Sequence, residues 1–282
     1  MKKRPLLWAL LLLAALIFSA GIWAWSQANA KYEYEPVRVN IRAGWTEQQI
    51  DSCLRADLGT SYGARVARIW RLAGSEPRLA HGSYLVQPGT RAWHLARTLR
   101  NGRQTPVRVT FNNLRLTTQL ADRVASQLEF SADDFLAAAD SLLPQRGYKS
   151  RAEYPAAFLP DSYEFYWTAS PAHVVKTLAD HRDAFWTDAR RSRAAELGLT
   201  PVQVATVASI AEEETADRAE RGTVARLYLN RIHRGMKLQA DPTVKYAVGD
   251  FSLRRITGRH LGVASPYNTY LHEGLPPGPI RI

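Results

Sequence analysis

VQVATVASIAEEET, residues 202–215, is a stretch without charge that runs straight into Glu212, Glu213 and Glu214. Thr200 is a good N-cap and Pro201 suits the first helical position, so a helix is predicted to begin here. Val202, Val204, Ala205, Val207, Ala208, Ile210 and Ala211 leave no polar stripe, which predicts a helix buried on all sides. If it stops near Thr215, its carboxylates lie where the helix dipole is already negative, an arrangement that stability alone does not favour. Two readings stand side by side. The acids mark where the helix meets solvent, with Arg218 and Arg221 as partners, or one of them stays partly desolvated and serves as a general acid. Helical geometry favours Glu212 for the second role, because it continues the row Val202, Ala205, Ser209 and follows Ala208 by four.

Working outward, the N-terminus fixes the compartment. Met1, Lys2, Lys3 and Arg4 precede residues 5–30, which carry no charge and are long enough to span a bilayer. Basic residues before the span place the N-terminus in the cytoplasm and everything after Lys31 outside. Ala28-Asn29-Ala30 resembles a signal-peptide cleavage site, but the apolar region exceeds the usual core of roughly 7–15 residues, so a retained anchor in the inner membrane is expected. Cys53 is the one cysteine, which leaves no internal disulfide and requires a self-sufficient core. The net charge of +11 would suit nucleic acid. An exported body with no basic run interleaved with aromatics points instead to lipid headgroups or an acidic envelope polymer.

An α+β fold is predicted, with a division at 1–30, 31–145 and 146–282. In the middle region, residues 37–41 and 107–111 alternate as strands do, and each precedes a helical pattern, over 46–54 and 117–128. Between them come an amphipathic helix at 62–72 and a short strand from Gly82. Pro88-Gly89-Thr90 then turns into a helix carrying Trp93, Leu95, Ala96 and Leu99. Strand, Pro-Gly turn and helix fit a small carbohydrate-binding module and plain scaffold alike. A further helix over 131–139 opens on Ser131-Ala132-Asp133-Asp134.

In the last region, Phe158, Tyr163, Phe165, Tyr166 and Trp167 surround Asp161 and Glu164, a composition suited to sugar rings or to a core strand. One long helix is expected over 173–195. Asp217 and Glu220 have capping-box spacing for a helix with Val224, Leu227, Leu229 and Ile232. Polar loops follow at 238–243 and 265–270, and the chain closes on Gly274-Leu275-Pro276-Pro277-Gly278-Pro279-Ile280, whose Gly and Pro fix its shape. A single carboxylic acid among Gln, Asn, Asp and Tyr suits glycosidic cleavage. Ordinary glycosidases need a second carboxylate, for which Asp161 and Asp241 are candidates. A one-acid route exists where the substrate carries its own nucleophile, such as the C6 hydroxyl of a muramic acid.

The segment 208–215, then 224–232, 235–243, Tyr267-Asn268-Thr269-Tyr270 and 274–280, in that order and spacing, resembles the endolytic murein transglycosylase family MltG, also called YceG-like. The resemblance extends to the anchor, to a LysM-like region around Gly82-Ser83-Tyr84 and Pro88-Gly89-Thr90, and to Pro160-Asp161. It implies a LysM-like α/β region followed by a mainly helical catalytic domain. It also implies an enzyme that cuts peptidoglycan glycan strands between N-acetylmuramic acid and N-acetylglucosamine, leaving 1,6-anhydro ends. Glu212 takes the position of the family's catalytic acid, and Gln239, Asp241, Asn268 and Tyr270 are expected to hold the sugar or orient it. No metal or organic cofactor is called for, and peptidoglycan synthases are expected neighbours. The rival reading is an anchored protein that grips glycan without cutting it. Two departures bear on these expectations. Family members continue past the Gly-Leu-Pro-Pro-Gly block, so the catalytic domain is expected to be C-terminally short. Asn112-Asn113 stands where many members have a Pro-Glu-Gly turn, a change expected to touch the small domain and not the chemistry.

Overall fold

A computed structural model describes residues 4–282; Met1, Lys2 and Lys3 of the N-terminal basic cluster lie outside them. The fold is α+β and mainly helical, as expected, and divides into two compact units, Met1–Val107 with Tyr166–Thr168, and Arg108–Phe165 with Ala169–Ile282.

The first unit begins with α1 (Arg4–Asn29), within which Trp8–Asn29 is long and apolar enough to cross a membrane. Strand β1 (Val37–Ile41) pairs antiparallel with β2 (Gly82–Val86), Val37 opposite Val86 and Ile41 opposite Gly82. Helix α2 (Glu47–Leu58) opens on a capping box in which Thr46 and Gln49 satisfy each other's backbone N–H groups. Helices α3 (Thr60–Leu72) and α4 (Ala92–Arg100) complete a core built from Val39, Ile41, Ile50, Leu54, Val66, Trp70, Tyr84, Leu95 and Leu99. Gly63 allows α3 to reach α2. A Cβ there would lie 2.1 Å from the Leu54 carbonyl oxygen, which no side chain tolerates.

The second unit opens within β3 (Val107–Phe111), which pairs with β4 (Asp161–Phe165), the Thr110 and Ser162 hydroxyls 2.7 Å apart and Phe111 stacked on Tyr163 at 5.6 Å. Phe158, Tyr163 and Phe165 of the aromatic block are core residues, while Tyr166 is exposed. Helices α5 (Thr117–Ala125) and α6 (Ala132–Leu142) follow β3; Ser131 caps α6 in a reciprocal pair with Asp134. These bonds, the Ser131 hydroxyl's first, hold the Asp134 carboxyl below the ordinary aspartate range. The helix expected over 173–195 is two helices, α7 (Pro171–Phe185) and α8 (Asp188–Glu196). Trp186 leaves helical geometry at φ −83, ψ 72, and Thr187 starts the new helix by accepting from the Arg190 N–H. No Pro or Gly announces that break.

Helix α9 (Pro201–Glu214) forms as read, Thr200 and Gln203 closing a capping box around Pro201. It is not buried on all sides: Thr206, Val207, Ser209, Ile210 and Ala211 are, whereas Val202, Val204 and Ala205 are half-buried and Ala208 is exposed. The missing polar stripe therefore reflects an apolar face that lines an open groove. Helix α10 (Arg221–His233) starts without the expected capping box. Glu220 is already helical and accepts from the Thr215 hydroxyl at 2.8 Å, while Asp217 accepts from the Ala219 N–H at 2.8 Å. Helices α11 (Asp241–Val248) and α12 (Gly258–Leu261) precede the closing segment. A second core joins Ile210, Tyr228, Leu238, Ala240 and Ile280, with Tyr246, Tyr267 and Leu275 packed on it. Each block singled out in sequence thus contributes a side chain to one cluster around α9.

Candidate active site

At the end of α9 the three carboxylates separate at once. Glu212 lines a groove of ≈ 470 Å³ whose walls are Phe158, Leu159, Trp186, Val204, Ala208 and Pro279, among others. Its Oε1 accepts from Arg221 Nη1 at 2.8 Å, and Oε2 lies 3.6 Å from Arg281 Nε. The Nε of Arg221 is buried with no hydrogen-bond partner among the described residues. Glu213 turns inward: its side chain is 12% exposed and is clamped by Arg115 at 2.5 Å and Arg281 at 2.7 Å. Glu214 accepts from the Tyr228 hydroxyl at 3.2 Å. Of the three, only Glu212 faces the apolar groove, while Glu213 and Glu214 border a second recess of ≈ 300 Å³ with Asp241, Lys245, Arg254 and Arg255.

The loops at 238–243 and 265–270 are stitched together beside that recess. The Gln239 N–H donates to the Thr269 carbonyl at 3.1 Å, and the Ala240 N–H to the Thr269 hydroxyl at 3.0 Å. Gln239 sits at φ 51, a left-handed conformation that a non-glycine residue adopts at a cost, and its side chain is exposed. Its Oε1 is 3.4 Å from Arg231, a contact at the weak end of the range. The Tyr270 hydroxyl donates to Asp241 Oδ1 at 2.7 Å. That bond, followed by burial, pushes the phenol up to about 12, so it is a neutral donor at physiological pH. Asn268 differs in kind. It is fully buried, its amide donates to the Leu261 and Val263 carbonyls at 2.9 and 2.8 Å, and its Oδ1 accepts from the Tyr270 N–H at 3.1 Å. Its polar atoms are committed to the loop itself.

With Glu212 fixed at the end of a capped helix and its five blocks converging on one core, the geometry can be set beside known proteins. The sequence profile of the YceG-like family matches residues 39–282. The chain belongs to the YceG-like family. Among curated relatives, an endolytic murein transglycosylase of Bacillus subtilis is 33% identical over 137 residues, 49% of this chain and 35% of that protein. One of Streptococcus pneumoniae is 36% identical over 86 residues, 29% of this chain and 16% of that protein. The chain thus spans about a third or less of the length of these relatives. The crystal structure of a putative yceG-like protein from Listeria monocytogenes shares the fold, with TM-score 0.57 and 23% identity over 87% of this chain and 86% of that one.

Sequence reading missed Arg281 and Arg115, and noted Asn113 only as a departure from the family pattern. Arg281 reaches both Glu212 and Glu213 and also donates to Asn113 Oδ1. Asn113, expected to touch the small domain, lies instead in the second unit and, through Arg281, one side chain away from Glu212. Nothing local marks Arg115. Arg281 stood next to a motif and its charge was the available signal. Among the described residues no group of three or more His, Cys, Asp or Glu side chains could hold a metal ion.

Proposed function

We propose that this protein is a membrane-anchored lytic transglycosylase. It cleaves peptidoglycan strands endolytically between N-acetylmuramic acid and N-acetylglucosamine and leaves 1,6-anhydro ends. The observation that carries the reading is Glu212, the one carboxylate of three that faces the groove from the end of α9. The names of its relatives point the same way.

In the reaction Glu212 protonates the glycosidic oxygen as the bond to muramic C1 breaks, and the released N-acetylglucosamine hydroxyl departs. The resulting carboxylate takes the proton from the C6 hydroxyl, whose oxygen closes onto C1. No water is consumed, and Glu212 ends as it began, protonated. Arg221 donates to Oε1, so in this reaction the entering glycan has to draw that guanidinium away before the oxygen can carry the proton to be donated. Asp241 and Tyr270 act as a paired acceptor and donor for sugar hydroxyls, with Gln239 beside them, and Asn268 positions their loop. The region 31–145 acts as a LysM-like glycan contact through β2, the turn at Gly89 and α4, and 146–282 carries the chemistry. Helix α1 anchors the chain once in the inner membrane with the body on the outer side, where glycan-polymerising synthases are its neighbours.

Incubating the full chain in detergent with purified peptidoglycan and reading products by mass spectrometry tests this. Anhydro-muropeptides are expected, falling by about a hundred- to ten-thousandfold in Glu212→Gln. Reducing ends in their place would mean hydrolysis, and unaltered glycan from folded protein would leave a binding protein.

A further inference from the structure

The first unit joins α1 without slack. The Ala92 N–H donates to the Ala30 carbonyl at 2.9 Å, the Tyr32 N–H to Thr90 at 2.9 Å, and the Gly89 N–H to Tyr32 at 2.7 Å. The end of the apolar helix is thus bonded directly to the turn before α4, and the body inherits its depth from the span. Two contacts then orient α3. At its start, Tyr62 lies against Tyr32, ring centroids 5.4 Å apart, and donates to the Thr90 carbonyl at 2.8 Å. Further on, the Arg68 guanidinium sits over the Trp23 ring at 5.5 Å. Moving forward along α3 from Tyr62 to Arg68 therefore means moving back from Tyr32, just past the end of α1, to Trp23 within it. The helices run antiparallel, side by side.

At a rise of about 1.5 Å per residue, Trp23 lies roughly 9 Å inside the end of α1 at Asn29, and Leu72 lies about 6 Å beyond Arg68 in the same direction. Leu72 is 82% exposed, an unusual state for a leucine that ends a helix whose other face packs into the core. Ser61, Arg65, Arg68 and Leu72 share one face of α3 by their spacing of three and four. Neither Arg65 nor Arg68 is ion-paired among the described residues, whereas Arg71 has Asp51 at 4.0 Å. Trp23 and Trp25 on α1 are exposed in the manner of an aromatic belt at a membrane surface.

We infer that the C-terminal end of α3 is a membrane-docking element. Leu72 enters the boundary of the acyl chains, and Arg65 and Arg68 reach up to the phosphates of anionic lipids in the bilayer that α1 crosses. Long arginine stems suit this arrangement, because their methylenes lie in the apolar zone while the guanidinium stays with phosphate. The consequence is a first unit held at a fixed tilt and height above the membrane rather than swinging from its anchor. The inference rests on the reading of α1 as a membrane span.

The test uses the full chain in lipid nanodiscs containing phosphatidylglycerol, in a Cys53→Ser background, with single nitroxide labels at Leu72→Cys, Ala56→Cys and Ile17→Cys. Collision with oxygen against collision with an aqueous nickel complex reports depth. The label at 72 is expected to favour oxygen severalfold over the label at 56 on α2. Water-like values at 72 with lipid-like values at 17 would overturn the docking and leave the anchor standing. Water-like values at 17 as well would overturn the anchor itself. In nanodiscs of phosphatidylcholine alone, or with Arg65→Gln and Arg68→Gln together, the label at 72 is expected to read shallower. Unchanged depth in both would remove the anionic headgroup from the proposal.

Discussion

Glu212, Glu213 and Glu214 are adjacent in sequence and differ in what holds them, so the same substitution has three outcomes. Glu212→Gln removes the proposed acid and leaves the fold intact, because its groove-facing carboxylate is not a packing element. Glu213→Gln strips partners from both Arg115 and Arg281 in a site that is 12% exposed. It is expected to cost about 1.5–3 kcal/mol, read as a lower urea midpoint. Any fall in the proposed activity should follow that loss of stability rather than precede it. Tyr270→Phe keeps the ring and removes the donor to Asp241; under the proposed role it weakens glycan binding, seen as a higher KM with kcat less affected. An equal loss in kcat alone would place Tyr270 in the chemistry instead.

Helix α9 has its acid at one end and its capping box at the other. Thr200→Ala deletes the hydroxyl that accepts from the Gln203 N–H and is expected to cost about 1 kcal/mol in urea unfolding. The proposed activity should survive, since the last turn is held separately: the Ser209 hydroxyl accepts from the Ile280 N–H at 3.0 Å and ties the closing segment to the helix. That segment has a backbone requirement of its own. A Cβ at Gly278 would lie 1.9 Å from the Ala152 carbonyl oxygen, a backbone atom that cannot swing aside. Gly278→Ala is therefore expected to displace Pro279 and Arg281, and with them one wall of the Glu212 groove, lowering both stability and activity.

Each of the two units has its own core, so the whole molecule should unfold in two steps rather than one. In calorimetry Gly63→Ala, which forces α3 off α2, is expected to lower one transition, and Gly278→Ala the other. A single transition moved by both would contradict this. Both units also carry buried phenols. Burial pushes Tyr84 in the first and Tyr148 in the second up to about 12 from an ordinary value near 10. The folded state therefore holds these protons more tightly than the unfolded chain does. Their stabilisation is complete below pH 10 and is lost as the pH rises from about 10 to 12. Urea midpoints measured from pH 9 to 11.5 should fall, and a flat profile would count against buried, protonated phenols. What was readable beforehand was what a few neighbouring residues encode. Thr200-Pro201 starts α9, the charge-free run over residues 5–30 makes α1 apolar, and alternation over 37–41 and 107–111 marks the strands, because caps and periodicities act within a turn or two of backbone. Even so, α7 and α8 read as one helix, since the helix breaks at Trp186 without a residue that forbids continuation. The sequence by itself determined the anchor-like helix, the α+β class and the run of three carboxylates at the end of α9. Only the tertiary structure decided which acid faces the groove, that α9 is open on one side, and that Arg281 joins Glu213 across 68 residues and Asn113 across 168. The reason is physical: such pairs depend on how whole elements pack, and no local pattern carries that information.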